Sequence, residues 1–171
     1  RAVSALFDLV TIYIVYLLGK RLYSQRVGLL AALFTSLSVL LIQHAHFFVV
    51  DPVANTFILA GLYFAIRIFD NGDGIDYTLF GVFLGLSVAS KINAVPLAGI
   101  AALAAAARVY TVDREQFIHE LKRAAGFLIL AAFLSLFTFR VFQPYAFEGP
   151  SIFHVGLNQQ WLDNMAEIQS M

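Results

Sequence analysis

Residues 77–107 read Tyr77-Thr-Leu-Phe-Gly-Val-Phe-Leu-Gly-Leu-Ser-Val-Ala-Ser90, a single Lys91, then Ile92-Asn-Ala-Val-Pro-Leu-Ala-Gly-Ile-Ala-Ala-Leu-Ala-Ala-Ala-Ala107. Two uncharged apolar runs meet at one cation. Neither run alternates with the period of two that a half-buried strand requires, so a transmembrane barrel is excluded. Runs of this length and polarity are membrane-spanning helices, and Lys91, with Asn93 and Pro96 after it, marks the turn between them.

The pattern repeats along the chain. Ala2–Leu18 carries one charge, Asp8. Val27–Ile42 carries none, and its apolar character continues to Val50. Val53–Ile66 and Ala124–Phe139 are also uncharged. A span needs about 20 residues, and the shorter runs are extended by flanking aromatics and by Arg or Lys stems that snorkel to the interface. The expected architecture is all-α, an integral membrane bundle of about six transmembrane helices with short interfacial helices. The bundle is expected over residues 1–142, as part of a larger domain. Residues 143–171 are expected to begin an outer-face loop with its own interfacial helix.

Composition agrees. Hydrophobic residues make up 60% of the 171 and charged residues 13%, against about 45–50% and 25% in soluble domains. Mean hydropathy is +0.80. Eleven basic and eleven acidic residues cannot cover a water-facing surface of this size. An ordinary cytosolic domain and a disordered segment are therefore excluded. A net charge of zero leaves no basic field for nucleic acid. Cysteine is absent, which removes disulfides and thiolate metal or redox chemistry. The chain opens on Arg1 with no cleavable signal pattern and reads as an internal piece of a larger membrane protein.

Charge asymmetry orients the bundle. With six spans, one side holds Lys20, Arg21, Arg26, Arg67, Arg108, Arg114, Lys122 and Arg123, and the other holds Arg1, Lys91 and Arg140. Eight against three places the connections at 19–26, 67–76 and 108–123 in the cytoplasm. If the organism is prokaryotic, the membrane is the plasma membrane. In the third connection, Asp113 and Gln116 resemble a capping box. Phe117, Ile118 and Leu121 share a face there, as in a short interfacial helix.

Polar residues on the outer side need a reason, because charges at membrane depth are costly. Gln43-His44-Ala-His46-Phe-Phe-Val-Val-Asp51-Pro52 lies between the second and third runs. Pro52 suits the first turn of a helix and Asp51 suits its N-cap. His44 and His46 point about 200° apart on a helix, a poor metal pair there. In an extended loop both could face one site with Asp51. Lys91 either snorkels to headgroups or holds the phosphate of a lipid-linked substrate as a point charge, and the sequence leaves these two open. Gly81 and Gly85 allow a neighbouring helix to approach closely. Asp8 lies two turns inside the first run with Ser4 and Thr11 nearby, and faces the bundle or a water-filled cavity. After Arg140, Phe153, Leu157, Trp161 and Met165 recur every four residues, the pattern of an amphipathic helix on the outer surface.

Together these segments resemble the multispanning, lipid-carrier-dependent glycosyltransferases of the C-type fold, nearest to protein O-mannosyltransferases and aminoarabinose-type transferases. Arg1-Ala-Val-Ser4 through Leu17-Leu-Gly-Lys-Arg-Leu-Tyr23 resembles the family's second span, and Gly28-Leu-Leu-Ala-Ala-Leu its third. His46-Phe-Phe-Val-Val-Asp51-Pro52 is similar to the family's outer segment ending in Asp-Pro. Gly81-Val-Phe-Leu-Gly-Leu-Ser-Val-Ala-Ser-Lys91 is similar to its Gly-x3-Gly-Leu-Ala-x3-Lys segment. Gln143-Pro-Tyr145 resembles the start of its large outer loop.

The resemblance implies transfer of a sugar from a polyprenyl or dolichyl phosphate to a protein, lipid or glycan acceptor on the outer or lumenal face. It implies Asp51 as a catalytic carboxylate, with the principal acid in a loop before Arg1. Lys91 is the implied partner of the carrier phosphate, and Asp8, His44 and His46 line the substrate site. His44 and His46 stand where the family often carries Arg. No metal or other cofactor is expected beyond the lipid-linked sugar donor, and the remaining partners are membrane lipids. No Gly-rich phosphate loop follows a strand, so a nucleotide-binding fold is not expected. Two other readings stay open. One is half of a transporter using Asp8, Asp51 and Lys91 as coupling groups, which would favour an internal repeat that is not evident here. The other is a non-catalytic scaffold subunit.

Overall fold

The computed structural model describes residues 2–39, 43, 50–149 and 156–170. Among them the architecture is all-α. Seven α-helices follow in order: α1 (Ala2–Leu22), α2 (Gln25–Ser36), α3 (Asp51–Asp70), α4 (Gly74–Ser90), α5 (Leu97–Thr111), α6 (Phe117–Phe142) and α7 (Gln159–Ser170). Short 3-10 turns stand at Ile92–Ala94 and Pro144–Ala146.

Among the described residues, four helical stretches are long and apolar enough to cross a membrane: Ala2–Leu22, Asp51–Asp70, Ile92–Thr111 and Phe117–Phe142. Gly74–Ser90 is apolar but has 17 residues. The described part of the second run, α2, has 12 residues, about 18 Å of helix at the usual rise, which is short of a span. Its last turn is closed by Thr35 and Ser36 hydroxyls donating to the Ala31 and Leu33 carbonyls. The remainder of that run, at 40–42 and 44–49, lies outside the described residues.

Helix α3 is the axis of the bundle and packs against α1, α4 and α5, while α4 packs along α6 and α1 along α2. The core between α3, α4, α5 and α6 holds Ile68, Tyr77, Phe80, Leu84, Leu97 and Val109. Ala101 and Ala105 on α5 and Ala124 and Ala131 on α6 are buried between them, the small residues that let membrane helices approach. Leu6, Leu9, Leu29, Phe34, Leu103, Ile129, Phe133 and Leu136 point outward and are exposed. Such a surface is not viable in water and suits lipid.

The closest approach is between α4 and α6. A Cβ built on Gly81 would run into the carbonyl oxygen of Ala131, and one on Gly85 would lie 2.5 Å from that of Ser135. The two contacts are four residues apart on both helices, so α4 and α6 run parallel in one register. Gly72, at φ 67°, makes the reversal between α3 and α4 within the connection expected at 67–76.

Two expected elements differ. Residues 117–123 do not form a separate interfacial helix but are the first turns of α6, which runs 26 residues without a break. No Gly or Pro interrupts Leu121 to Ala125, so the helical ladder continues into the span. Its N-cap, Gln116, makes no side-chain capping bond. The four-residue apolar series of the C-terminal stretch is likewise not carried by one helix. Leu157 pairs with Phe147 in an isolated antiparallel bridge, and α7 starts after Asn158, whose side chain accepts from the Gln160 N–H at 3.0 Å. Phe153 lies outside the described residues.

Candidate active site

The two ends of the bundle differ in their polar chemistry. At one end, Arg21 pairs with Asp70 at 2.7 Å and Arg123 lies 3.9 Å from Asp73. Arg108 donates to the Phe69 and Asp70 carbonyls at 3.3 and 2.8 Å, satisfying the C-terminus of α3. Arg67 lies 2.7 Å from Asp76, whose side chain is fully buried. That acid is held by charge more than by directional hydrogen bonds. These Arg residues are among those that the charge asymmetry assigns to the cytoplasm.

The other end carries the predicted site residues. Helix α3 has 20 residues, so Asp51 and Asp70 are separated by about 28 Å along its axis, close to the hydrocarbon thickness of about 30 Å. Helix α4 stops at Ser90, and Lys91 turns the chain with extended backbone, φ −153° and ψ 113°. Its Nζ donates to Asp51 Oδ1 at 2.7 Å. The fold thus joins the two residues that the sequence singles out in separate segments. Both side chains remain accessible, 53% for Lys91 and 36% for Asp51. Beyond Lys91, a depression of about 530 Å³ is lined by Ile92, Asn93, Val95 and Pro96.

Asp51 is not the N-cap. Val50 takes that position, no side-chain capping bond forms, and Asp51 is the first helical residue with Pro52 behind it. The carboxylate is spent on Lys91 instead, while still in the first turn, where the helix dipole favours a negative charge.

Asp8 sits on the buried face of α1 between Ser4 and Thr11. It is half-buried, with Oδ1 out of contact with solvent. One turn further in, Thr11 and Thr56 share a 2.7 Å hydrogen bond, and the Thr56 hydroxyl also reaches the Phe7 and Pro52 carbonyls at 3.0 and 2.8 Å. Helices α1 and α3 run parallel here, so Asp8 stands about 4.5 Å and Asp51 about 7.5 Å above the threonine pair. The three groups Asp8, Asp51 and Lys91 therefore occupy one layer at this end. His44 and His46 lie outside the described residues.

Arg140 is the residue of this end that sequence reasoning passes over. It counts there only as an outer cation. In the fold it is 7% exposed. It donates to the Pro144 and Gly149 carbonyls at 3.2 and 3.0 Å and stands 4.6 Å from the centre of the Phe147 ring. Extending the Gly81–Ala131 and Gly85–Ser135 register puts Lys91 near the level of Val141, next to Arg140. The guanidinium thus ties the segment after α6 to the end of that helix. Phe139 packs against Phe147 and Trp161 at 5.6 and 6.3 Å and seats α7 there. The signal available in the sequence was a lone Arg among Phe residues just before Gln143-Pro144.

The fold defines an integral membrane helical protein, with a charged layer at one end of its bundle. Compared with known families, residues 1–139 match the dolichyl-phosphate-mannose-protein mannosyltransferase family. The chain belongs to that family, and is a membrane glycosyltransferase of the mannosyltransferase type. No curated protein and no solved structure gave a match.

Proposed function

We propose that the chain builds the donor side of a glycosyltransferase that uses a polyprenyl- or dolichyl-phosphate sugar and works on the outer or lumenal face. The observation that carries the reading is the Lys91–Asp51 pair at the outer end of the bundle. The family's description makes a mannosyl donor on dolichyl phosphate and a protein acceptor the first substrates to test.

In this reading, the acceptor oxygen attacks the anomeric carbon of the donor. The bond from that carbon to the phosphate oxygen breaks, and its electron pair leaves with the polyprenyl phosphate. The acceptor proton passes to a carboxylate. Lys91 balances the charge that grows on the leaving phosphate. Asp51 activates or orients the acceptor hydroxyl. Asp8 forms the α1 wall of the site, and His44 and His46 contact the acceptor. Arg140 keeps the outer segment in place above them.

The test is transfer of labelled mannose from dolichyl phosphate to a peptide by the purified protein and its Lys91→Ala variant. Loss of one such electrostatic partner costs about 10²–10³ in rate, so at least a tenfold loss is expected with the thermal melt unchanged. Undiminished donor affinity and turnover would reduce Lys91 to an anchor in the headgroup region.

A further inference from the structure

The pairing at the outer end presents a difficulty that also suggests a device. Lys91 is the cation assigned to the donor phosphate, yet its ammonium is already held by Asp51 at 2.7 Å. Asp51 is the carboxylate assigned to the acceptor, yet it is engaged by Lys91. Neither residue can do its task while the pair is closed.

We infer that Asp51 is a built-in competitor for the anion site of Lys91. The carrier phosphate displaces it, and only then is the carboxylate released toward the acceptor. The inference rests on the reading of Lys91 as the phosphate partner. A phosphate drawn to the same ammonium would sit within a few ångströms of the carboxylate, and like charges that close disfavour each other. The two anions therefore exchange rather than share. Exchange is easy here because both side chains are accessible, at 53% and 36%. Exposed pairs close with equilibrium constants of only about one to five. The phosphodiester of the donor carries one negative charge, as Asp51 does, so the two compete on even terms for the ammonium; the phosphate monoester left by transfer, with about −1.5 to −2 charge at neutral pH, is the stronger ligand for a point charge. Lys91 lies on non-helical backbone between α4 and the Ile92–Ala94 turn, and its flexible stem allows the ammonium to change partners.

The consequence is an ordered site. Without donor, Asp51 is engaged by the Lys91 ammonium at 2.7 Å. With the carrier phosphate on Lys91, the carboxylate is released from that ammonium and can turn toward the acceptor. The acceptor is thus activated only when a donor phosphate is present.

Binding of farnesyl phosphate to the detergent-solubilised protein, with farnesol as the uncharged control, tests the exchange. Asp51→Asn is expected to bind farnesyl phosphate about two- to fivefold more tightly than the parent, because its competitor is gone. Asp51→Ser serves as a second charge-free variant should the first fold poorly. Lys91→Gln is expected to bind at least tenfold more weakly. Adding Asp51→Asn to Lys91→Gln should then give no tightening, whereas simple long-range repulsion by Asp51 would persist in that background. Farnesol affinity should be the same in all of them.

Asp51→Asn binding that is unchanged or weaker, while Lys91→Gln weakens, overturns the exchange and leaves the phosphate role of Lys91 standing. Tightening that survives in the Lys91→Gln background, or that extends to farnesol, overturns it as well. Equal binding by the parent and Lys91→Gln removes the phosphate role and the exchange together.

Discussion

Lys91 Nζ rests 2.7 Å from Asp51 Oδ1, across 40 positions of sequence. One residue ends α4 and the other begins α3, and these helices run antiparallel through the Gly72 turn. Their far ends must therefore meet on the side opposite that turn. The pair links two of the segments that carry the family resemblance and gives the charged layer its centre.

Asp51→Asn separates a structural from a chemical role for this carboxylate. Asp51 is not the N-cap of α3, and Asn keeps its shape without the charge or the ability to take a proton. Orienting and general-base groups contribute about 10²–10⁴-fold to rate. Mannosyl transfer should fall at least tenfold, with expression and thermal melt unchanged. Near-native transfer by the Asn variant would remove Asp51 from the chemistry.

The orientation can be checked by cysteine labelling, since the chain has no cysteine of its own. Gln160→Cys, on exposed α7, should react with an impermeant maleimide in intact cells or sealed vesicles of native orientation. Asn71→Cys, exposed at the α3–α4 turn, should react only after permeabilisation. The reverse pattern would place the Lys91–Asp51 layer on the cytoplasmic face.

The ion pair at the opposite end predicts a stability effect without a direct catalytic one. Asp76 is fully buried beside Arg67, which is 31% exposed. Removing one partner of a buried pair costs about 3–5 kcal/mol, and the exposure of Arg67 favours the low end. Arg67→Leu should lower the melting temperature clearly, and adding Asp76→Asn should recover most of the loss. A melt of Arg67→Leu equal to the parent would show that Asp76 draws its support from elsewhere.

Two glycines make a matched test of the α4–α6 contact. A methyl at Gly81 would meet the Ala131 backbone, whereas one at Gly126 meets nothing within 4 Å. Overpacking of this kind costs about 1–3 kcal/mol, while Gly→Ala in an open helix gains up to about 1 kcal/mol. Gly81→Ala should melt lower than the parent and Gly126→Ala at or above it. If both behave alike, the close approach of α4 and α6 is not what holds that register.

Much of the fold was written in the local sequence, because a membrane leaves the backbone few choices. Uncharged runs must be helices, since only helices satisfy their own N–H and C=O groups in hydrocarbon. The breaks at Asp70–Asp76 and at Lys91–Pro96 were equally readable, from Gly and Pro chemistry. The Gly81 and Gly85 step announced a close helix contact but not its partner, which is α6. Local sequence misjudged residues 113–123, because an amphipathic face looks the same on a separate interfacial helix and on the first turns of a long span. It also offered Asp51 as a cap beside its site role, because a position next to Pro52 suggests a cap when no distant partner is visible. Only the tertiary structure brought Lys91 onto that carboxylate, set Asp8 above the Thr11–Thr56 bond, and turned Arg140 from a counted charge into the clasp of the segment after α6. Hydropathy acts within a run of residues and can be read along the chain. Charge pairing between helices depends on which ends the packing brings together, and that is decided by contacts far apart in sequence.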